Sequence, residues 1–165
     1  NGRCTEFKRY FMGKIKLVFI VCSIVLNAQT EQRNTEIIME LEKFGDSLFK
    51  SSNFREAALT YKKLVQINPS SFDFNFKYAS AFGLEVESMP RFQQAKNARE
   101  MVKLFEKAFL INSKDIDLNR ALLEIYLKVP RFFGGGNKKA RDIIKNIYSF
   151  SKDEGDKAQE FYNKF

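Results

Sequence analysis

The sequence contains no histidine and no tryptophan. Without imidazole there is no Ser-His-Asp or Cys-His catalysis, no His-ligated zinc and no imidazole pH switch. Its two cysteines, Cys4 and Cys22, both precede residue 29, so beyond that point disulfides, thiolate nucleophiles and Cys-ligated metals are excluded. Three prolines and eight glycines in 165 residues argue against a loop-rich or collagen-like chain. No run alternates apolar and polar residues as a strand would. What survives is acid–base work by carboxylates, Lys or Tyr. The paired acids Glu85 and Glu87, Asp115 and Asp117, and Asp153 and Glu154 form no recognisable dyad, and Asp115 and Asp117 suit a helix start, where the dipole favours acids. The expectation is therefore no enzyme, no metal and no cofactor.

Hydrophobic residues make up 44% and charged residues 29% of the chain, enough to bury a core and too apolar for compositional disorder. The length suits one domain, or one domain with a short extra segment. Phenylalanine is abundant at 18 residues. Of the net charge of +8, half belongs to residues 1–28, where Arg3, Lys8, Arg9, Lys14 and Lys16 face only Glu6, leaving +4 for 29–165. That modest excess does not imply nucleic acid.

The segment Met12–Ala28 has the three parts of a secretory signal: a basic start (Lys14, Lys16), ten largely apolar residues (Leu17–Leu26) and a small residue, Ala28. The apolar run is shorter than the roughly 20 residues of a permanent membrane helix. Cys22 follows Phe19, Ile20 and Val21, whereas a lipobox wants a small residue just before its cysteine. Residues 1–11 lie upstream of the signal. Cleavage after Ala28 would release 29–165 to an exported location, periplasmic, outer-membrane-associated or secreted. The alternatives are an uncleaved anchor and an apolar helix packed on the domain.

From residue 35 onward apolar residues recur at spacings of three and four, the period of amphipathic helices. Residues 38–71 form a 34-residue unit. Leu41, Phe44, Gly45 and Leu48 lie along its first helix, and Ser51, Ser52 and Asn53 break it. Ala57, Tyr61 and Leu64 lie along the second, which Phe54 opens and Pro69 ends. Small residues at Gly45 and Ala57 would let the two helices approach closely. A second unit, 72–113, has Tyr78, Ala79 and Phe82 in the first-helix places. Its second helix is anchored by Met101, Phe105 and Ala108, or one turn earlier by Ala98. About ten extra residues fall around Glu85–Asn97, read as a long inter-helix loop. A third unit, 114–152, has Leu122, Leu123 and Tyr126, then the loop 129–137, then Ala140, Ile144 and Ile147. Pro-Arg-Phe occurs in both loops, at 90–92 and 130–132, which points to duplication. Residues 69–73 read as a helix stop followed by a new cap, Ser151 and Glu154 have capping-box spacing, and Asn112–Asp115 is a weaker cap of the same kind. Residues 154–165 read as an end helix.

The first unit resembles the tetratricopeptide repeat on Leu41, Phe44-Gly45, Leu48, Ala57, Tyr61, Leu64 and Pro69, with Leu64 in place of the usual second-helix alanine. The Pro and Gly-Gly loop of the third unit is similar to a variant in bacterial members of that family. The resemblance covers about 35–152. It implies an all-α fold: a short right-handed α-solenoid of antiparallel helix pairs, about three repeats and a C-terminal helix, because such units bury a continuous core only by stacking. The alternative is an unrelated helical bundle.

The resemblance further implies a concave groove lined by first helices, which binds a protein or peptide partner. Carried onto this chain, its residues are Met39, Glu42, Asp46, Phe49 and Lys50; then Asp73, Phe76, Ser80 and Leu84; then Arg120, Glu124, Leu127 and Lys128. The family's carboxylate-clamp members have Lys and Asn where Glu42 and Asp46 stand, so no clamp for a C-terminal carboxylate is expected. Phe49, Phe76, Leu84 and Leu127 are either apolar anchors or packing against the next unit. The implied function is an exported adaptor in a cell-envelope assembly. The alternatives are a self-associating scaffold, with a homo-oligomer, and a small-ligand or lipid carrier with its pocket under 85–97 and 129–137. No nucleic acid is expected, and membrane contact only through the signal or at the periphery. The run Gly134–Lys139 lacks the preceding strand and following Ser/Thr of a phosphate loop. With Arg141 and Lys145, its lysines Lys138 and Lys139 make the densest basic cluster, read as a solvated helix face.

Overall fold

The computed structural model of the chain describes residues 29–165, which are helical throughout except for short turns. The signal segment, with both cysteines, lies outside the described residues. The chain divides into two units, Asn1–Glu40 and Leu41–Phe165, and the second holds the stack of helices. Helix α1 covers 29–50 and so enters this unit at Leu41. It is followed by α2 (Phe54–Ile67), α3 (Phe72–Ser88), α4 (Arg91–Ile111), α5 (Ile116–Lys128), a single 3-10 turn (Arg131–Phe133), α6 (Asn137–Tyr148) and α7 (Lys152–Lys164). From α2 onward each helix packs on the next in the chain, and α7 also reaches back to α5. The all-α expectation is met among the described residues.

Apolar spacing makes the helices. In α2 the buried apolar side chains are Ala57, Ala58, Tyr61, Leu64 and Val65, one stripe at the 3.6-residue period, with Thr60 buried beside them. In α6 they are Ala140, Ile143, Ile144 and Ile147. The α6 stripe joins the buried faces of α3, α4 and α5 in one core that includes Val102, Phe105, Leu118, Leu122 and Ile147.

The helix starts are made by side chains seen in the sequence. Ser71 accepts from the amide of Phe74, Asp115 from Leu118 and Ser151 from Glu154, each satisfying an otherwise orphan donor. Because Ser151 caps it, α7 starts at Lys152 rather than at residue 154. Glu154 does not complete a capping box; its carboxylate bonds Arg120 and Lys157 instead. Between α1 and α2, Ser52 takes a left-handed conformation at φ 61°. The amide of Asn53 then reaches Leu48 O at 2.9 Å, closing the end of α1.

Two buried asparagines repeat one device. Asn75 Nδ2 donates to the carbonyls of Pro69 and Ser71, at 3.0 and 2.7 Å. Asn119 Nδ2 donates to those of Ser113 and Asp115, at 2.8 and 2.6 Å. Each asparagine thus ties the turn before its helix to the helix's own first turns.

The extra residues of the second unit are not a loop. α3 continues to Ser88 and α4 begins at Arg91, so only Met89 and Pro90 separate them. The residues around Glu85–Asn97 lengthen both helices beyond the 14 residues of α2, to 17 and 21. Among them Glu87, Ser88, Arg91, Phe92 and Lys96 are exposed and Val86 is buried. Phe44, read as part of the first unit's apolar pattern, is 58% exposed.

Gly45 is buried against α2: a Cβ there would lie 2.7 Å from Tyr61 Cε1 and 3.3 Å from Thr60 Cγ2. Tyr61 and Thr60 lie nearest to Gly45, and Ala57 is completely buried on the same α2 stripe. Gly45→Ala is expected to lower the unfolding free energy by about 1–2 kcal/mol in chemical denaturation. The displaced buried ring outweighs the gain of up to about 1 kcal/mol that alanine brings to a helix interior. Asn119→Ala, which strips a buried donor from two carbonyls, is expected to cost about 1–3 kcal/mol in the same measurement.

Candidate partner-binding surface

Eight of the thirteen sequence-selected residues fall into three groups. The first is an ionic cluster on α1 and α3. Lys77 Nζ donates to Glu42 Oε1 at 2.6 Å and to Asp46 Oδ1 at 2.8 Å, and Tyr61 Oη donates to the same Asp46 oxygen at 2.7 Å. The ammonium also lies 5.8 Å from the centre of the Tyr61 ring. Glu42 and Asp46 are therefore not free acids; they share one cation, Lys77, which sequence reasoning missed and which leaves the trio with one net negative charge. Nothing local marks Lys77, whose partners lie 35 and 31 residues upstream.

The cluster shifts its own ionisation. Burial pushes the Asp46 carboxyl up, but bonds from Lys77 and Tyr61 outweigh it and hold the group below its ordinary 3.8. Burial pulls the Lys77 ammonium down, and its bonds to Asp46 and Glu42 outweigh that and raise it above 10.5. Burial first, then the bond to Asp46, raises the Tyr61 phenol far above 10.0. The stabilisation through Asp46 is complete above the unfolded carboxylate value and is lost as pH falls through the lower folded one. That through Lys77 is complete below the ordinary ammonium value and is lost as pH rises through the higher folded one.

The second group is aromatic. Phe76 stacks on Phe72 at 5.6 Å and meets Phe105 edge-on at 6.3 Å. Phe49 meets Phe54 edge-on at 5.5 Å. Both rings are half-buried and spent largely on internal packing. Met39, Lys50 and Asp73 are exposed, Met39 in the unit Asn1–Glu40. Arg120 bonds Glu154 at 2.5 Å.

The third group converges. Ser80 and Leu84 from α3 and Glu124 and Lys128 from α5 line one open cleft of about 980 Å³. Its remaining wall is the start of α4, with Arg91, Gln94, Ala95 and Ala98, and its apolar floor includes Val86, Met101, Phe105, Ile125 and Phe133. Gly83 admits the floor: a Cβ there would lie 3.3 Å from the Phe105 ring. At the rim Lys128 pairs with Glu124. That bond raises the Lys128 ammonium above 10.5 against a small opposing effect of burial. The cleft thus offers an apolar surface with acids (Glu87, Glu124) and bases (Arg91, Lys128) around it.

Leu127 faces a different cavity, of about 940 Å³, beside Arg131, Lys138, Arg141 and the run Gly134–Gly136. The amides of that run do not cradle an anion. Gly134 N donates to Arg131 O, Gly135 N to Pro130 O and Gly136 N to Tyr126 O. Left-handed backbone at Gly134 and Gly136, φ 107° and 113°, turns the chain for these bonds. Lys139 is drawn inward to Glu106 at 2.6 Å and to Gly134 O at 2.9 Å, which thins the basic cluster read from the sequence. Among the described residues no group of three or more acidic or thiol side chains is placed to hold a metal ion, and no helix is long and apolar enough to cross a membrane.

No family model matches the chain, and no curated protein matches it.

Lys77→Met is expected to lower stability at neutral pH by about 1 kcal/mol, discounted for the partial exposure of all three side chains. The loss should shrink in acid, as pH falls through the lowered carboxyl value of Asp46. Urea unfolding of the variant and parent at the two pH values reads the difference directly.

Proposed function

We propose that this chain is an exported, non-enzymatic adaptor, a tetratricopeptide-like stack of helix pairs that holds a protein or peptide partner in a cell-envelope assembly. The observation that carries the reading is the cleft between α3, α4 and α5, where four residues chosen as groove-lining from the sequence meet around an apolar floor. Supporting it, the cap, the buried asparagine and the Pro-Arg-Phe turn recur in two successive units. In the same reading α7 serves as the terminal helix of a short right-handed solenoid. Affinity would come from side chains of the partner entering the apolar floor, and orientation from the mixed charges of the rim. Export rests on the segment Met12–Ala28.

The volume of the cleft favours one alternative, a carrier of a small apolar ligand, since such pockets span about 300–1,000 Å³. Native mass spectrometry of the purified chain distinguishes the two: a carrier retains a ligand of defined mass, and an adaptor does not.

Ser80→Arg combined with Leu84→Arg places two long cations in the cleft from half-exposed positions. A partner captured by the parent from its own cell envelope is expected to bind this variant at least tenfold more weakly, with far-ultraviolet dichroism unchanged. Undiminished capture by a folded variant would remove the cleft from the proposal.

A further inference from the structure

The outer side of α4 carries a feature that neither the cleft nor the core uses. Phe92, Lys96, Arg99, Lys103, Lys107 and Leu110 fall within about 80° of arc at 3.6 residues per turn. All six are exposed, Phe92 to 73% and Leu110 to 85%. The row extends about 27 Å along the helix at 1.5 Å per residue. Lys96, Lys103 and Lys107 have no hydrogen bond or ion pair among the described residues. Arg99 donates to the carbonyl of Phe132 at 2.9 Å, which brings a second aromatic, 68% exposed, beside the row. Of the nearby acids, Glu106 is bonded to Lys139 and Tyr126, and Glu100 stands at the edge of the arc.

We propose that this row is a peripheral docking surface for an anionic lipid bilayer, with the cations at the headgroup phosphates and Phe92, Phe132 and Leu110 reaching toward the acyl boundary. Charge complementarity selects an anionic partner. The exposed apolar ends select lipid among anionic partners: a nucleic acid would pair with the cations and leave Leu110 in water, whereas a bilayer interface accommodates both kinds of side chain. The inference does not depend on what the cleft binds.

Flotation of the chain with vesicles of phosphatidylcholine alone, and of phosphatidylcholine mixed equally with phosphatidylglycerol, tests it. The apolar run Leu17–Leu26 is common to every variant, so differences between variants report on α4. The parent is expected to prefer the anionic vesicles. Lys96→Gln with Lys103→Gln should weaken that partition roughly 20-fold, about five-fold per charge. Phe92→Ser with Leu110→Ser should weaken it roughly tenfold or more, from the loss of two buried apolar side chains. The same change of net charge at Lys152 and Lys164 on α7 should have little effect. Equal partition to both vesicle types, indifference to the α4 substitutions, an equal loss from the α7 control, or displacement of the vesicles by a short DNA duplex at matched charge would each overturn the proposal.

Discussion

A helix can approach another closely only where a side chain is missing, and here an aromatic ring repeatedly occupies the gap. Tyr61 lies on Gly45, Phe105 on Gly83 and Tyr148 on Gly155, where added Cβ atoms would stand 2.7, 3.3 and 2.4 Å from the rings. A flat ring against bare backbone fixes both the spacing and the rotation of the two helices, because neither a shift along the axis nor a turn about it keeps the ring seated. The polar contacts then follow. With Tyr61 seated on α1, its hydroxyl meets Asp46, and Lys77 on α3 completes the cluster at 2.8 Å. With Phe105 seated on α3, its ring becomes part of the floor of the cleft.

The turns between units are held by a different economy. Asn75 and Asn119 are nearly or wholly buried, yet each satisfies its amide on two backbone carbonyls at the turn before its helix. In the third unit the device is extended, since Asn146 on α6 donates both to Asn119 Oδ1 and to Ser113 O. A buried amide with fixed partners specifies one geometry, whereas an apolar residue there would pack in several. This locates each new helix relative to the end of the last, so that errors do not accumulate along the chain.

Local features were legible in the sequence. Ser151 was readable as a cap, and 69–73 and 112–115 as segments holding one, because capping depends on residues within one turn; the structure gives those two caps to Ser71 and Asp115. Gly45 was readable as a close approach from its place in a 34-residue pattern. The region around Glu85–Asn97 was not, because its many polar residues and Pro90 look like a loop although only Met89 and Pro90 stand between the helices. The pairing of Lys77 with Glu42 and Asp46 was equally hidden, since it joins helices separated by an intervening one. Convergence was legible only in part: of thirteen candidate groove residues, Ser80, Leu84, Glu124 and Lys128 share a cleft, while Phe76 is turned into ring stacking and Arg120 to an ion pair with Glu154. Sequence periodicity identifies the helix face; the tilt between helices decides which residues on it meet.

α4, at 21 residues, has two distinct sides. Its Ala95, Ala98, Met101 and Phe105 face the cleft, while Lys96, Arg99, Lys103 and Lys107 face away. A helix of 14 residues, such as α2, would reach only part of the way along this wall. The further turns at the start of α4 bring Arg91, Gln94 and Ala95 to the cleft, which Pro130 and Phe133 also line. The same turns lengthen the outward row to carry Phe92 at its far end and bring Arg99 to the second Pro-Arg-Phe turn. The length of α4 thus serves both surfaces. A deletion that shortened α3 and α4 together to the 14 residues of α2 would remove the start of the cleft wall and the aromatic end of the row while sparing the Gly45–Tyr61 seat, on which the first helix pair depends.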